Sequence, residues 1–181
     1  MISIFEMFKI GIGPSSSHTV GPMKAAGLFL QALKATACYA QTARFAVHVY
    51  GSLSLTGIGH GTDGAILAGL AGEDPKTVDT DKMPQLIADI RANKAVAQHD
   101  RSPIALDTEK DFVFHKTRLP LHENGMTLQA FDAQDTLLLE KNYYSIGGGF
   151  VVEEEDFSTA LGQEDLPVPY PYKNAADLLA H

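Results

Sequence analysis

The chain has 181 residues, of which 45% are apolar and 20% are charged, and its formal net charge is -8. This length predicts roughly one domain of ~150 residues with a short extension, and the composition excludes a disordered or fibrous chain. The acidic balance disfavours binding to nucleic acid or to an anionic membrane. No stretch approaches the ~20 apolar residues of a membrane span, and the opening residues lack a signal-peptide pattern. We expect a soluble cytoplasmic protein whose partners are small molecules or proteins.

The chain contains a single cysteine, Cys38. One thiol cannot form an internal disulfide, and it cannot supply the roughly four thiolates of a structural zinc or iron–sulfur site. The seven histidines include no His-Glu-x-x-His pattern and no pair spaced by four residues. The sequence therefore predicts no metal site within this chain.

The first half of the chain predicts helices around one strand. A serine-rich run leads into an apolar stretch at residues 20–34, and Pro22 falls where the first turn of a helix tolerates proline. Residues 44–50 alternate between apolar and polar side chains, which is typical of a half-buried strand. Further helices are predicted from residue 62 or 63 to residue 71 and at residues 84–98.

The second half consists of short apolar segments separated by turn residues. Strands are predicted at residues 104–106, 112–114, 126–131 and 136–144. The intervening segment 131–136 is typical of a hairpin, so these strands are expected to form an antiparallel meander. The order of the elements predicts an α+β fold, in which helices pack on one side of an antiparallel sheet.

The C-terminal end differs in composition from the rest of the chain. Residues 1–165 are predicted to form one domain. Prolines alternate from Pro167 to Pro171, which favours an extended linker. Asn174 is a typical helix cap, and the helix that it predicts stops at His181. We interpret residues 166–181 as a linker and the start of a connection to a further domain.

The first candidate site is the polar run that precedes the first predicted helix. It consists of Ser15, Ser16, Ser17, His18 and Thr19. Unpaired amides at a helix start bind carboxylates or phosphates well, because that end of a helix carries partial positive charge. The Gly-Lys-Ser/Thr ending of a nucleotide P-loop is missing, which disfavours ATP. A simple helix cap explains the same pattern equally well.

The second candidate site is the glycine-rich segment around His60. Its glycines allow the backbone to approach a ligand closely, and an imidazole titrates near neutral pH, so His60 is a candidate general base with Asp63 as its orienting group. A glycine-rich turn with a surface histidine and a capping Asp63 is the simpler alternative. A serine hydrolase built from Ser15–Ser17, either His18 or His60, and Asp63 is disfavoured, because no Gly-x-Ser-x-Gly elbow is present.

Two further polar segments stand out in the second half. His122 and Asn124 can hold a small zwitterion, but the same residues also form a hairpin turn on their own. Residues 143–150 contain three consecutive glycines. Such a run indicates tight packing, a bulge or close contact with a ligand, and it does not choose between them.

Four segments of the chain together resemble a known family. They are GIGPSSSHTVGPM at residues 11–23, YGSLSLTG at residues 50–57, LPLHENGM at residues 119–126 and YYSIGGGF at residues 143–150. These motifs are long, ordered and unusual, and they resemble the N-terminal β domain of bacterial iron–sulfur L-serine dehydratases over nearly the whole chain. Residues 167–181 resemble the connection from that β domain to the catalytic α domain. The chain departs from the family at Gly61, where members often carry a second histidine.

The resemblance implies deamination of L-serine to pyruvate and ammonia without pyridoxal phosphate. It further implies a 4Fe-4S cluster whose cysteines belong to the α domain, so this chain alone is expected to bind no cofactor and to be inactive. The implied partners are the catalytic α domain or subunit, L-serine, and a second copy of the full enzyme in a homodimer. The fold is expected to resemble the allosteric substrate-binding domain of phosphoglycerate dehydrogenases.

The resemblance also implies roles for individual residues. Catalytic roles toward substrate fall on His60, Thr62 and Asp63. The run from Ser15 to Thr19 is expected to bind substrate or to line the interface with the catalytic domain. His122 and Asn124 match a loop associated with an L-serine effector site. The alternative is a stand-alone regulatory module that binds an amino acid and makes no catalytic contribution.

Overall fold

A computed structural model of the chain describes residues 10–157 and, beyond them, residues 176 and 179. The predicted domain boundary after residue 165, the proline-rich linker and the helix expected from residue 175 lie outside the described residues. Among the helices within them, none combines the length and the apolar character needed to cross a membrane.

A mixed sheet of seven strands forms one layer. Its strands are β1 (Arg44–Val49), β2 (Ala95–Val96), β3 (Ile104–Ala105), β4 (Phe112–Phe114), β5 (Gly125–Phe131), β6 (Leu137–Gly147) and β7 (Phe150–Glu153). The order is β2-β3-β1-β5-β6-β7, and β4 also pairs with β1. Strands β5, β6 and β7 form an antiparallel meander, of which β5 and β6 were predicted and β7 was not.

The sheet is mixed because β3 and β4 run parallel to β1. Parallel strands need a long crossover, and the chain supplies one between residues 50 and 103, where three of the helices lie. The expectation of a fully antiparallel sheet is corrected in this respect. The α+β class, with helices on one side of the sheet, is confirmed.

Four α-helices cover the sheet: α1 (Gly21–Lys34), α2 (Gly51–Thr56), α3 (Thr62–Leu70) and α4 (Met83–Asn93). Three of them match predicted helices, whereas α2 was not predicted. Helix α4 ends earlier than expected, because Lys94 adopts a left-handed conformation with φ 50°. Residues 95 and 96 then join the sheet.

The core lies between the sheet and the helices. Phe45, Val47 and Val49 of β1 are fully buried and belong to the same apolar cluster as Phe29 and Leu33 of α1. This alternation is the one that predicted the strand. Because this layer is well filled, the segments at the ends of β1, α1 and α3 are held at fixed positions, and the candidate site is built from them.

Candidate functional site

Two threonine hydroxyls tie the serine-rich turn to the histidine loop. The serine-rich segment Ser16–Val20 forms one π-helical turn ahead of α1. Thr19 Oγ1 donates to the carbonyl oxygen of His60 at 2.9 Å, and Thr62 Oγ1 donates to that of His18 at 2.5 Å. Both threonines are buried. The structure therefore brings the first two candidate sites together. We call these two hydrogen bonds, from Thr19 to His60 and from Thr62 to His18, the clamp.

The imidazole of His60 is oriented by its own turn. Its Nδ1 lies 2.9 Å from the carbonyl oxygen of Thr56. Because a carbonyl can only accept, Nδ1 carries the hydrogen and Nε2 is the basic nitrogen of the neutral ring. No residue in the part of the chain that the structure describes forms a hydrogen bond with Nε2. This is the arrangement that a general base requires.

His18 lies between two serine hydroxyls. Its Nδ1 is 2.8 Å from Ser17 Oγ, its Nε2 is 3.0 Å from Ser52 Oγ, and its ring centroid is 5.1 Å from that of His60. Burial, and then the neighbouring His60, lower the pKa of His18 below its ordinary value of 6.5. At neutral pH the ring is therefore uncharged, and it accepts a hydrogen bond from one serine while donating to the other.

Hydrogen bonds join the four sequence segments that carry the family resemblance. The links are His18 Nε2 with Ser52 Oγ at 3.0 Å, Ser52 N–H to Glu123 O at 3.0 Å, Asn124 Nδ2 to Ser145 O at 3.1 Å, and Ser145 Oγ to Ser17 O at 2.7 Å. Because Glu123 and Asn124 are neighbours in the chain, and so are Ser17 and His18, these links close into a ring. We call this arrangement the four-segment ring. Motifs far apart in sequence thus form one assembly around His18.

Glycine at position 51 allows the four-segment ring to close. Gly51 has φ +53°, and a Cβ atom there would lie 2.1 Å from the carbonyl oxygen of Glu123. Such a separation is far below van der Waals contact, so the loop of residues 119–125 approaches α2 only because no side chain intervenes. The glycine at the second position of the second motif is therefore required by the close approach of Glu123.

A cleft of about 550 Å³ opens beside His60. Its walls include Met83 and Ile87, while Asp63 and Arg91 bring opposite charges into it. Asp63 Oδ2 accepts a hydrogen bond from Arg91 Nη2 at 2.5 Å. The structure therefore pairs Asp63 with Arg91 and not with His60, because the first turn of α3 faces α4. The group that orients His60 is therefore the Thr56 carbonyl, and not Asp63 as the sequence suggested.

His122 and Asn124 form a turn and leave one acceptor unused. The Asn124 N–H donates to His122 Nδ1 at 3.0 Å, and Asn124 Nδ2 donates to Ser145 O. Asn124 Oδ1 is the one buried side-chain oxygen or nitrogen without a hydrogen-bond partner within the described residues. Buried polar atoms are nearly always paired, so Oδ1 is available to a donor supplied from elsewhere.

Sequence reasoning assigned no role to several residues of this site. Ser52 and Ser145 lie inside two of the four segments that carry the family resemblance. Only their hydroxyl groups could have indicated a role in the site. Thr56 contributes a backbone carbonyl, which no sequence pattern reveals. Arg91 lies 28 residues from Asp63, so no local pattern indicates that the two side chains pair.

The described residues fit neither a hydrolase triad nor a metal cluster. The Asp63 carboxylate is paired with Arg91 and not with an imidazole. Across the described range, no group of three or more His, Cys, Asp or Glu side chains could hold a metal ion. Cys38 is half-buried and packs against the core. An iron–sulfur cluster that takes about four thiolates therefore does not fit this chain.

Comparison with known proteins places this chain in a family. The family described as serine dehydratase beta chain matches residues 3–156. The chain belongs to this family. It is 50% identical to L-serine dehydratase 1 of Escherichia coli and 49% identical to the L-serine dehydratase of Haemophilus influenzae, and both alignments cover 100% of this chain. It is also 43% identical, over 98% of its length, to the L-serine dehydratase of Streptomyces coelicolor.

The serine dehydratase relatives are much longer than this chain. Each of these three alignments covers 40% of the relative's own length. More than half of each relative therefore has no counterpart here. In this chain, the clamp, the cleft and the four-segment ring all lie within the matched residues 3–156.

Proposed function

We propose that this chain is the β part of an L-serine dehydratase, which deaminates L-serine to pyruvate and ammonia. One observation carries the proposal: in a member of the serine dehydratase beta chain family, His60 lies in a cleft with Nδ1 bound to a carbonyl, which leaves Nε2 as a base. The catalytic part of the enzyme corresponds to the portion of the relatives that this chain does not cover.

The charges in the cleft suit an amino acid. A free α-amino acid carries an ammonium and a carboxylate, and the cleft contains a carboxylate on Asp63 and a guanidinium on Arg91. Guanidinium groups pair well with carboxylates. The proposed complex has Arg91 facing the substrate carboxylate and Asp63 facing its ammonium group.

In the proposed reaction, His60 Nε2 accepts the α-proton of L-serine. Hydroxide leaves from the β-carbon and takes up a proton to form water. The remaining product is an enamine, which tautomerises to an imine and is hydrolysed to pyruvate and ammonia. The clamp of Thr19 and Thr62 keeps His60 beside His18 during this step. Because hydroxide is a poor leaving group, its departure needs Lewis-acid help. An iron–sulfur cluster held outside this chain would supply that help when bound.

The direct test is an assay of pyruvate formation by the full-length enzyme, reconstituted without oxygen in the presence of iron and sulfide. We expect turnover of L-serine, with no requirement for added pyridoxal phosphate, and no pyruvate from the 181-residue chain alone. D-Serine is the matched control substrate. Failure of the loaded full-length enzyme to deaminate L-serine would contradict the proposal, as would activity of the 181-residue chain by itself.

A second candidate function is an effector site for L-serine at His122 and Asn124. The buried, unpaired Oδ1 of Asn124 favours it, because an amide oxygen is a suitable acceptor for an ammonium group. In this case occupancy of the loop changes catalysis elsewhere.

Calorimetry on the full-length enzyme tests the effector site. With the catalytic site blocked by a competitive inhibitor, we expect residual L-serine binding that is lost in Asn124→Leu. His99→Ala is the control, since His99 is exposed on a separate loop. Absence of residual heat at millimolar L-serine in a folded sample would refute the effector site.

A further inference from the structure

Two large aliphatic side chains stand in solvent beside His60. Leu55, near the end of α2, is 74% exposed, and Ile58, in the next turn, is 73% exposed. In contrast, Leu53 of the same helix is fully buried in the core. A single exposed aliphatic residue is common, but two such residues three positions apart in consecutive helical turns are suited to an interaction surface.

This segment is fixed to the candidate base by backbone hydrogen bonds. Thr56 Oγ1 donates to Ser52 O at 2.9 Å, and the Thr56 carbonyl holds the His60 ring. The carbonyl oxygen of Gly57 accepts from the N–H groups of His60 at 3.0 Å and Thr62 at 2.9 Å. A group that covers the two aliphatic side chains is therefore held at a set position relative to His60.

We propose that Leu55 and Ile58 form the docking surface for the catalytic part of the dehydratase. This inference rests on the proposed function. The relatives devote more than half of their length to a portion that is absent here, and that portion must reach His60 if it supplies the cluster. Leu55 and Ile58 lie five and two residues before His60 in a segment held by backbone hydrogen bonds, so burying them brings the catalytic part next to the base.

Photocrosslinking of the full-length enzyme tests this docking surface. Leu55 is replaced by p-benzoylphenylalanine, and crosslinked peptides are identified by mass spectrometry after irradiation. We expect peptides from outside residues 1–181. The control places the same amino acid at Leu137, which is 47% exposed at the start of β6. Crosslinks confined to residues 1–181 of a second copy, or a yield no higher than that of the control, would overturn the proposal.

A paired substitution adds a functional measurement. Because both side chains are exposed, L55D with I58D is expected to leave the fold intact and to lower kcat by about tenfold or more, through loss of docking. Leu137→Asp is expected to retain wild-type kcat. Crosslinking does not require turnover, so the docking surface and the proposed function can be tested independently. An enzyme that crosslinks but does not deaminate L-serine contradicts only the proposed function. An active enzyme without the crosslink contradicts only the docking surface.

Discussion

Replacing His60 with alanine in the full-length enzyme is expected to lower kcat for L-serine by about 10²–10⁴-fold, the usual contribution of a positioned general base. The loss follows from the absence of Nε2, the nitrogen left free when the Thr56 carbonyl binds Nδ1. Steady-state kinetics with L-serine and with α-deuterated L-serine measure it. A residual reaction limited by proton removal is expected to show a larger isotope effect than the wild type.

The matched control for His60→Ala is His99→Ala. Both histidines are accessible to solvent, but His99 lies on an exposed loop away from the cleft, so its removal is expected to leave kcat unchanged. Thermal unfolding of both variants checks that the fold is retained. Near-normal turnover by His60→Ala would remove this residue from the mechanism and direct attention to His18, whose ring lies 5.1 Å away.

The largest expected effect on stability comes from Gly69→Ala at the contact between α1 and α3. A Cβ atom on Gly69 would lie 2.3 Å from the carbonyl oxygen of Met23 and 2.7 Å from Ala26 Cβ. Both neighbours belong to a helix, so relief requires the two helices to separate. Overpacking of this kind costs about 1–3 kcal/mol, which corresponds to a fall of roughly 4–8 °C in Tm for a destabilisation near 2 kcal/mol in a chain of this size.

Gly27→Ala provides a control within the same helix pair. Gly27 also lies inside a helix, α1, but a Cβ atom there would meet nothing within 4 Å. Alanine restricts the unfolded chain and favours helix, so this variant is expected to gain about 0.5–1 kcal/mol. Calorimetric scans of the two variants should therefore shift in opposite directions. A rise in Tm for both would contradict the close helix contact at Gly69.

Much of the fold was predictable because its segments agree with local rules. Helix α1 and strand β1 have apolar patterns that match their burial, and α3 is a continuous apolar stretch that is buried almost throughout. Strand direction was harder, since pairing of β3 and β4 with β1 depends on the long crossover and not on any local pattern. Helix α2 escaped prediction because only one of its six residues, Leu53, is buried.

The candidate site was predictable in its members but not in their connections. Hydroxyls and imidazoles in glycine-rich segments indicated Ser17, His18 and His60, and the structure brings them together. Hydrogen-bond partners depend on tertiary geometry, which is why Asp63 was assigned to the wrong partner and the Thr56 carbonyl to none. A backbone carbonyl carries no sequence signature at all.

The four-segment ring has a consequence for the order in which the protein folds. Its longest link, from Ser145 Oγ to Ser17 O, spans 128 residues of chain. Contacts of such separation form late, because closing a long loop costs entropy before the contact repays it. The surroundings of His18 are thus completed only when β6 has docked on the sheet. On a ribosome, every nascent chain that ends before Ser145 therefore carries the histidines without the finished site.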